Sequence, residues 1–293
     1  MENVIVSRGK IVTLEELPEY SIALDGYVQG PQIDSAYHRY SFDHHDQCLR
    51  YCTTSACMQA RTAIELGLED IEQYTIFAND VDVDVCAAIW CLKNPDRCKE
   101  PLVKKLINAI GEGDMHGGAV GYNGMTKVVE WICAPETDSK RNDDYHKISD
   151  EGLKSILEAV LYRINQYVDG EAGIEVSKQH KHEESYKILR NKNNWVLIEA
   201  SDPHIYSALY QAGFNRIVLV KPQSDGSNKI SLAKKSDFVN NFPLLTFYQK
   251  LNALEPGWGG SSSIGGSPRH HDGSGSKLPL DTIISVIDES ISL

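Results

Sequence analysis

No stretch of this 293-residue sequence approaches the roughly 18 apolar residues of a membrane span, and it does not open with a basic patch leading into an apolar run. The resulting expectation is a cytoplasmic location and no membrane partner. The seven cysteines, an odd number, are Cys48, Cys52, Cys57, Cys86, Cys91, Cys98 and Cys133, without the paired C-x-x-C spacing of a zinc site. A reducing compartment suits them. Cys48, Cys52 and Cys57 read either as thiolate ligands or, with Cys57 in an apparent helix, as the small buried hydrophobes that free cysteines commonly are. Positive charge is also short, with Lys plus Arg at 29 against Asp plus Glu at 41, a net of −12 and a pI near 5.3. That argues against a broad basic face wrapping long duplex nucleic acid and leaves room for a small anionic substrate in a local pocket. No internal repeat is visible. Hydrophobic residues at 41% and ordinary counts of Gly (22) and Pro (11) exclude disorder, collagen and low-complexity fibres. The length predicts two domains.

The apolar run from Ser21 to Leu24 ends at Asp25, and a second run ends in Phe42-Asp43-His44-His45; both read as strands. Thr53 and Thr54 precede a helix from Ala56 to Leu66 that Gly67 closes, and Tyr74 to Ala78 is a further strand. Asp84 begins a helix stopped by Pro95, and another runs from about Pro101 to Ile110 before the loop Gly111-Glu112-Gly113-Asp114. Such alternation predicts an α/β domain with a mainly parallel sheet over residues 1–134. The polar stretch from Ala134 to Asp150 reads as a linker, and Leu153 to Val168 as an amphipathic connecting helix closed by Gly170, together filling 135–174. Residues 175–293 form a smaller α/β domain: a strand at Trp195 to Glu199, a helix near His204 to Gln211, strands at Arg216 to Lys221 and Lys229 to Ala233, and a last helix at Leu280 to Ile291.

Chemistry concentrates where strands end, because an open α/β sheet presents its ligand crevice at their carboxyl ends. Phe42-Asp43-His44-His45-Asp46 places carboxylate and imidazole together, the standard ligands of Mn, Fe and Zn ions. Asp25 closes the strand before it. Asp80, Asp82 and Asp84 follow the strand ending at Ala78, and Asp114 and His116 occupy a third loop. Converging, these clusters suffice for two divalent ions. Taken singly they read as a solvated acidic loop or as carboxylates favouring a helix N-terminus. The Gly- and Ser-rich segment Gly257 to Ser276 reads either as a flexible linker or, with Trp258, Ile264 and Arg269 in it, as a phosphate-binding loop.

The Asp43-His44-His45 triplet, the small-residue helix after it and Asp25 before it resemble the DHH phosphoesterase superfamily, which includes RecJ-like exonucleases, oligoribonucleases and cyclic-dinucleotide phosphodiesterases. The motif order is atypical. The family's early D-x-D motif has its closest counterpart downstream, in Asn79-Asp80-Val81-Asp82-Val83-Asp84, so that either the sheet is circularly permuted or these aspartates fill vacated positions. The family's leading histidine has no match, and His116 beside Asp114 is the candidate substitute. The C-terminal half resembles the DHH-associated domain, with Ser261 where the family has a histidine after its glycines.

The resemblance implies a two-metal phosphoesterase acting on phosphodiester bonds of short oligonucleotides or (cyclic) dinucleotides, with two Mn²⁺ ions, or Mg²⁺ in their place. It assigns Asp25 as the bridging ligand, Asp80 and Asp82 (or Asp82 and Asp84) to one ion each, and His44 with Asp114 to complete the second site. His45 contacts the reacting phosphate and Asp43 orients His44. Gly259, Gly260, Ser261, Ser262, Gly265, Gly266 and Arg269 hold the substrate. The alternative is a catalytically degenerate nucleotide-binding sensor or partner-binding protein; self-association as a homodimer is left open.

Overall fold

The computed structural model describes residues 3–117, 119–122, 124–141, 145–172, 186–200, 205–268, 270 and 273–291. They belong to two compact units, Met1–His116 with Val120–Lys178, and Gln179–Leu293 with Gly117–Ala119. The fold is mixed α/β, and among the described residues no helix is long and apolar enough to cross a membrane.

In the first unit β1 (Val4–Val6), β2 (Ser21–Leu24), β3 (Gln32–Asp34), β4 (Arg39–Phe42) and β5 (Thr75–Ala78) form a five-stranded sheet in the order β1-β5-β2-β4-β3. β1, β5, β2 and β4 are parallel, and β3 runs antiparallel to β4. A parallel strand covered on both faces is apolar along its length rather than alternating. The Ser-Ile-Ala-Leu of β2 is accordingly buried at every position. Leu24 pairs with both Phe42 and Ala78, and Ala78 pairs with Val6, so the four parallel strands end level. β1 and β3 escape the sequence reading because three residues carry no periodicity.

Among the described residues five α-helices complete this unit: α1 (Ala56–Glu65), α2 (Val83–Lys93), α3 (Pro101–His116), α4 (Thr126–Arg141) and α5 (Asp150–Val168). Ser55, rather than Thr53 or Thr54, precedes α1 as its cap residue. α2 is buried continuously from Asp84 to Leu92, which is why it shows no apolar stripe. Its cap is Asp82, whose carboxylate accepts the Val85 N–H at 2.9 Å. Two expectations are corrected. The expected loop at Gly111 to Asp114 is helical, because α3 continues to His116. Gly113 is there for close approach: a Cβ on it would stand 2.1 Å from the Tyr122 ring. The expected linker from Ala134 is also helical as far as Arg141, with Pro135 inside α4. Glu136 and Thr137 are buried, and Glu136 pairs with Lys140 one turn later, so the polar residues serve an inward face. Asn142, Asp143 and Asp144 lie outside the described residues. The Ser149 hydroxyl caps α5, accepting from Gly152 N–H at 3.2 Å, and α5 packs on α2 and α4.

The second unit carries β6 (Tyr186–Lys192), β7 (Trp195–Ala200), α6 (Ile205–Gln211), β8 (Arg216–Pro222), β9 (Asn228–Lys234), α7 (Leu244–Asn252), β10 (Gly259–Gly260), β11 (Ile264–Gly266) and α8 (Leu280–Ile291). Its six-stranded sheet has the order β10-β11-β9-β8-β7-β6, with β7 and β8 parallel. Alternate residues of β7 serve two cores, Val196 and Ile198 packing with Ile205 and Leu209 of α6, Trp195 and Leu197 with Phe247 of α7 and Ile283 of α8. His204 lies outside the described residues. Asp288 of α8 accepts from Trp195 Nε1 at 2.9 Å, Asn193 Nδ2 at 3.3 Å and the Arg190 guanidinium.

Replacing Gly113 by Ala should destabilise the protein by about 1–3 kcal/mol despite the gain in helix propensity, because the Tyr122 ring must move; urea unfolding measures it. Burial alone would push the Asp288 carboxyl up, but Arg190, Trp195 and Asn193 outweigh it and hold it below its ordinary value. Its contribution is therefore present above about pH 4 and lost as pH falls through the depressed value. Asp288→Asn should cost about 1–2 kcal/mol at pH 7 and progressively less in acid, read as a narrowing gap between the two melting curves.

Candidate metal centre

Four chain segments leave the sheet at the level edge: Arg8 just beyond β1, Asp25 directly after β2, Asp43-His44-His45 after β4, and Asn79 to Asp84 after β5. The last turn of α3 supplies Asp114. Asp25 takes a left-handed backbone, φ +49°, while its N–H still donates to Phe42 O at 2.9 Å. The chain turns away at once, and the Asp25 side chain is left 8% exposed.

Asp43 is wholly buried and accepts from Gly30 N–H at 2.7 Å, His45 N–H at 3.1 Å and the His45 ring at Nδ1, 3.0 Å away. Burial pushes its carboxyl up, yet the bonds from His45 and Gly30 prevail and bring it down to about 2. Asp43 thus orients His45, where the family resemblance assigns it to His44. His45 is itself pushed down by burial and, more strongly in sum, up by Asp25 and Asp43, to about 10. Its Nδ1 lies 3.2 Å from Asp25 Oδ1, and 35% of the side chain is exposed. Gln59 of α1 donates to Asp43 O at 2.8 Å and Thr54 O at 2.5 Å, tying both ends of the intervening loop.

His44 is fully buried, its Nε2 2.7 Å from Asp114 Oδ2 and 3.5 Å from Asp25 Oδ1. Neither contact is aligned as a hydrogen bond. Both ring nitrogens of His44, Asp25 Oδ1 and Asp114 Oδ2 are buried without a hydrogen-bond partner. Each such group costs about 1–3 kcal/mol unless something satisfies it. Asp84, also fully buried, accepts from Cys57 N–H at 3.3 and 3.4 Å at the start of α1. Burial, then the charges of Asp114 and Asp25, push it up to about 7; the same causes push Asp82 well above the carboxylate range.

Among the described residues two sets of ligand atoms each lie within 4.8 Å of one another: Asp25, His44 and His45, and His44, Asp84 and Asp114. His44 belongs to both. Carboxylate and imidazole donors suit Mn²⁺, Fe²⁺ or Zn²⁺, and the unpartnered buried donors fit a cation that would satisfy them. No cysteine belongs to either set among the described residues, and Cys57, Cys86, Cys91, Cys98 and Cys133 are buried. Asp80, Asp82 and His116 stand outside both sets. Asp80 accepts from Val81 N–H at 2.8 Å and from the Tyr145 hydroxyl, Asp82 caps α2, and His116 ends α3.

Sequence reasoning missed Tyr145, Gln59 and Arg50. Arg50 was the findable one: it is the single cation between His45 and Ser55, and its charge reaches both His45 and Asp114. In the second unit, the expected phosphate loop is a β-hairpin that extends the sheet, Gly259 and Gly260 pairing with Gly266 and Gly265 around a tip containing Ser261 and Ser262. A Cβ on Gly266 would stand 2.1 Å from Ile230 O, and the Ser261 hydroxyl accepts from Ile264 N–H at 3.1 Å. Arg269 lies outside the described residues.

No protein-family model matches the sequence, and no curated protein matches it. Among solved structures the chain is similar to a pGpG-specific phosphodiesterase, PggH from Vibrio cholerae, at 11% identity over 99% of this chain and 97% of that one, with a TM-score of 0.42.

Proposed function

We propose that this chain is a two-metal phosphodiesterase acting on short oligonucleotides or dinucleotides, with Mn²⁺ as the first candidate ion and Mg²⁺ as the second. The observation that carries the reading is the buried set of unpartnered donors on Asp25, His44 and Asp114, joined by Asp84, whose crowded negative charge calls for cations. Asp25, His44, Asp84 and Asp114 hold the ions. Divalent ions supply a nucleophile at neutral pH and offset the charge that grows on phosphoryl oxygens. His45, fixed by Asp43 and partly exposed, donates to a phosphoryl oxygen, and Arg50 adds positive charge on the same side. The short substrate accords with a net charge of −12.

A nucleotide binder without turnover is the second reading. What favours it is that Asp80 and Asp82 are engaged by Tyr145 and by the start of α2 rather than joining either ligand set.

Adding Mn²⁺ to metal-free protein should raise its melting temperature, by the equivalent of about 2.7 kcal/mol at a hundredfold excess over Kd. His44→Ala and Asp84→Asn should abolish the rise, and Asp80→Asn should keep it; an unchanged melting temperature in the wild type would sink the metal assignment. Turnover should be Mn²⁺-dependent on a panel of short DNA and RNA oligomers, cyclic dinucleotides and pyrophosphate. His44→Ala should lower it by at least about 100-fold, since even the residues that merely orient ligands are worth about 10–100-fold. Wild-type protein that binds a nucleotide and turns over none of the panel would establish the second reading instead.

A further inference from the structure

Ser55 stands where a serine commonly caps a helix, directly before α1, yet its hydroxyl makes no cap bond to its own helix. The Cys57 N–H, one of those a capping serine takes, goes instead to the Asp84 carboxylate in the first turn of α2, 3.3 and 3.4 Å from its two oxygens. Asp84 thus caps α1 from another helix, and the wholly buried Ser55 keeps a donor to give. Its Oγ lies 3.5 Å from the Cys57 thiol. Burial, Asp114 and Asp25 raise the Asp84 carboxyl, and hydrogen bonds from Cys57 and from the Ser55 hydroxyl pull it the other way.

A third helix closes on the same point. Gly111 of α3 abuts Ser55: a Cβ on it would stand 2.6 Å from Ser55 Oγ and 2.5 Å from the Met58 side chain. One turn before Gly111, Ile107 O accepts from the Cys57 thiol at 3.5 Å, and one turn after it comes Asp114. Residues 107, 111 and 114 share one face of α3. The contacts that seat α1 on α3 therefore set the spacing between Asp84, which α1 holds, and Asp114, which α3 carries. With His44 these two carboxylates make up the second ligand set.

Close packing accounts for a small residue at position 55 and for glycine at 111. It does not account for a buried hydroxyl given to a carboxylate of the ligand set rather than to its own helix. Alanine would fill the same space with no polar group to satisfy.

We propose that Ser55 is a positioning residue: its hydroxyl, backed by Gly111, holds the Asp84 carboxylate in the orientation that an ion in the His44, Asp84 and Asp114 set requires. This rests on the two-metal reading of that site.

The test is equilibrium Mn²⁺ binding to metal-free protein, which needs no turnover, for wild type, Ser55→Ala, Gly111→Ala, Asp84→Asn and Ser55→Ala combined with Asp84→Asn. Ser55→Ala should weaken one of two ions by about 10–100-fold and the other by less than about twofold. The weakened ion should be the one that Asp84→Asn removes, and in the Asp84→Asn background Ser55→Ala should change nothing further. Gly111→Ala crowds the hydroxyl from another helix and should weaken the same ion, so the assignment does not hang on one variant; metal-free melting curves check that each variant folds. Equal weakening of both ions, no weakening, or a further loss in the Asp84→Asn background would make Ser55 a packing residue and overturn the proposal, with the two-metal reading intact. Wild-type protein that takes up no Mn²⁺ overturns the reading and the assignment together.

Discussion

Like charge gathered out of water governs the first unit. Burial, with the charges of Asp114 and Asp25 beside it, raises the cost of ionising Asp84, while the neighbouring imidazole of His44 draws Asp114 the other way. Much of the surrounding structure serves to keep these groups together. The start of α1 donates its Cys57 N–H to Asp84, and α3 carries Asp114 on its last turn, one residue after a glycine on which Tyr122 rests. Under the proposed function, cations held by these groups would offset the electrostatic penalty that this packing imposes.

Adjacent histidines illustrate how local geometry divides labour. His44 points into the buried set with both ring nitrogens unmet, while His45 is fixed by Asp43 through main chain and ring and keeps a third of its surface open. One suits ligation, the other contact with an incoming group. Asp43 makes that division, and Gly30, donating across the turn, fixes Asp43 in turn.

The DHH triplet and Asp25 were legible because each interrupts an apolar run at a strand end, a signal that needs no tertiary information. Choosing among Asp80, Asp82 and Asp84 was not: the choice turns on where α2 starts, which places Asp82 at its cap and Asp84 against α1. Asp114 is legible as a residue but not as helical, since glycines spaced by two read as a turn, whereas Gly113 admits the Tyr122 ring and Gly111 the Met58 and Ser55 side chains. The half of α4 that follows Ala134 reads as a linker because polar composition suggests solvation, whereas Glu136 is buried and paired with Lys140. Arg8 and Tyr145 had no local signal. They meet through strand order alone, across more than a hundred positions of sequence.

The placement of β5 also dictates the order in which the sheet can assemble. β1 has β5 as its ladder partner, and β2 meets β1 only through it. Until residue 78 has been synthesised, the chain holds two parallel-strand edges with a gap between them, and closing that gap ties residues some seventy positions apart. Such pairings come late in folding because the entropy of closing the loop precedes any reward from contact. The acidic loop after β5 is therefore brought to Asp25 and His44 by the same pairing that makes the sheet continuous, so one late ladder completes both the fold's first layer and the grouping of its carboxylates.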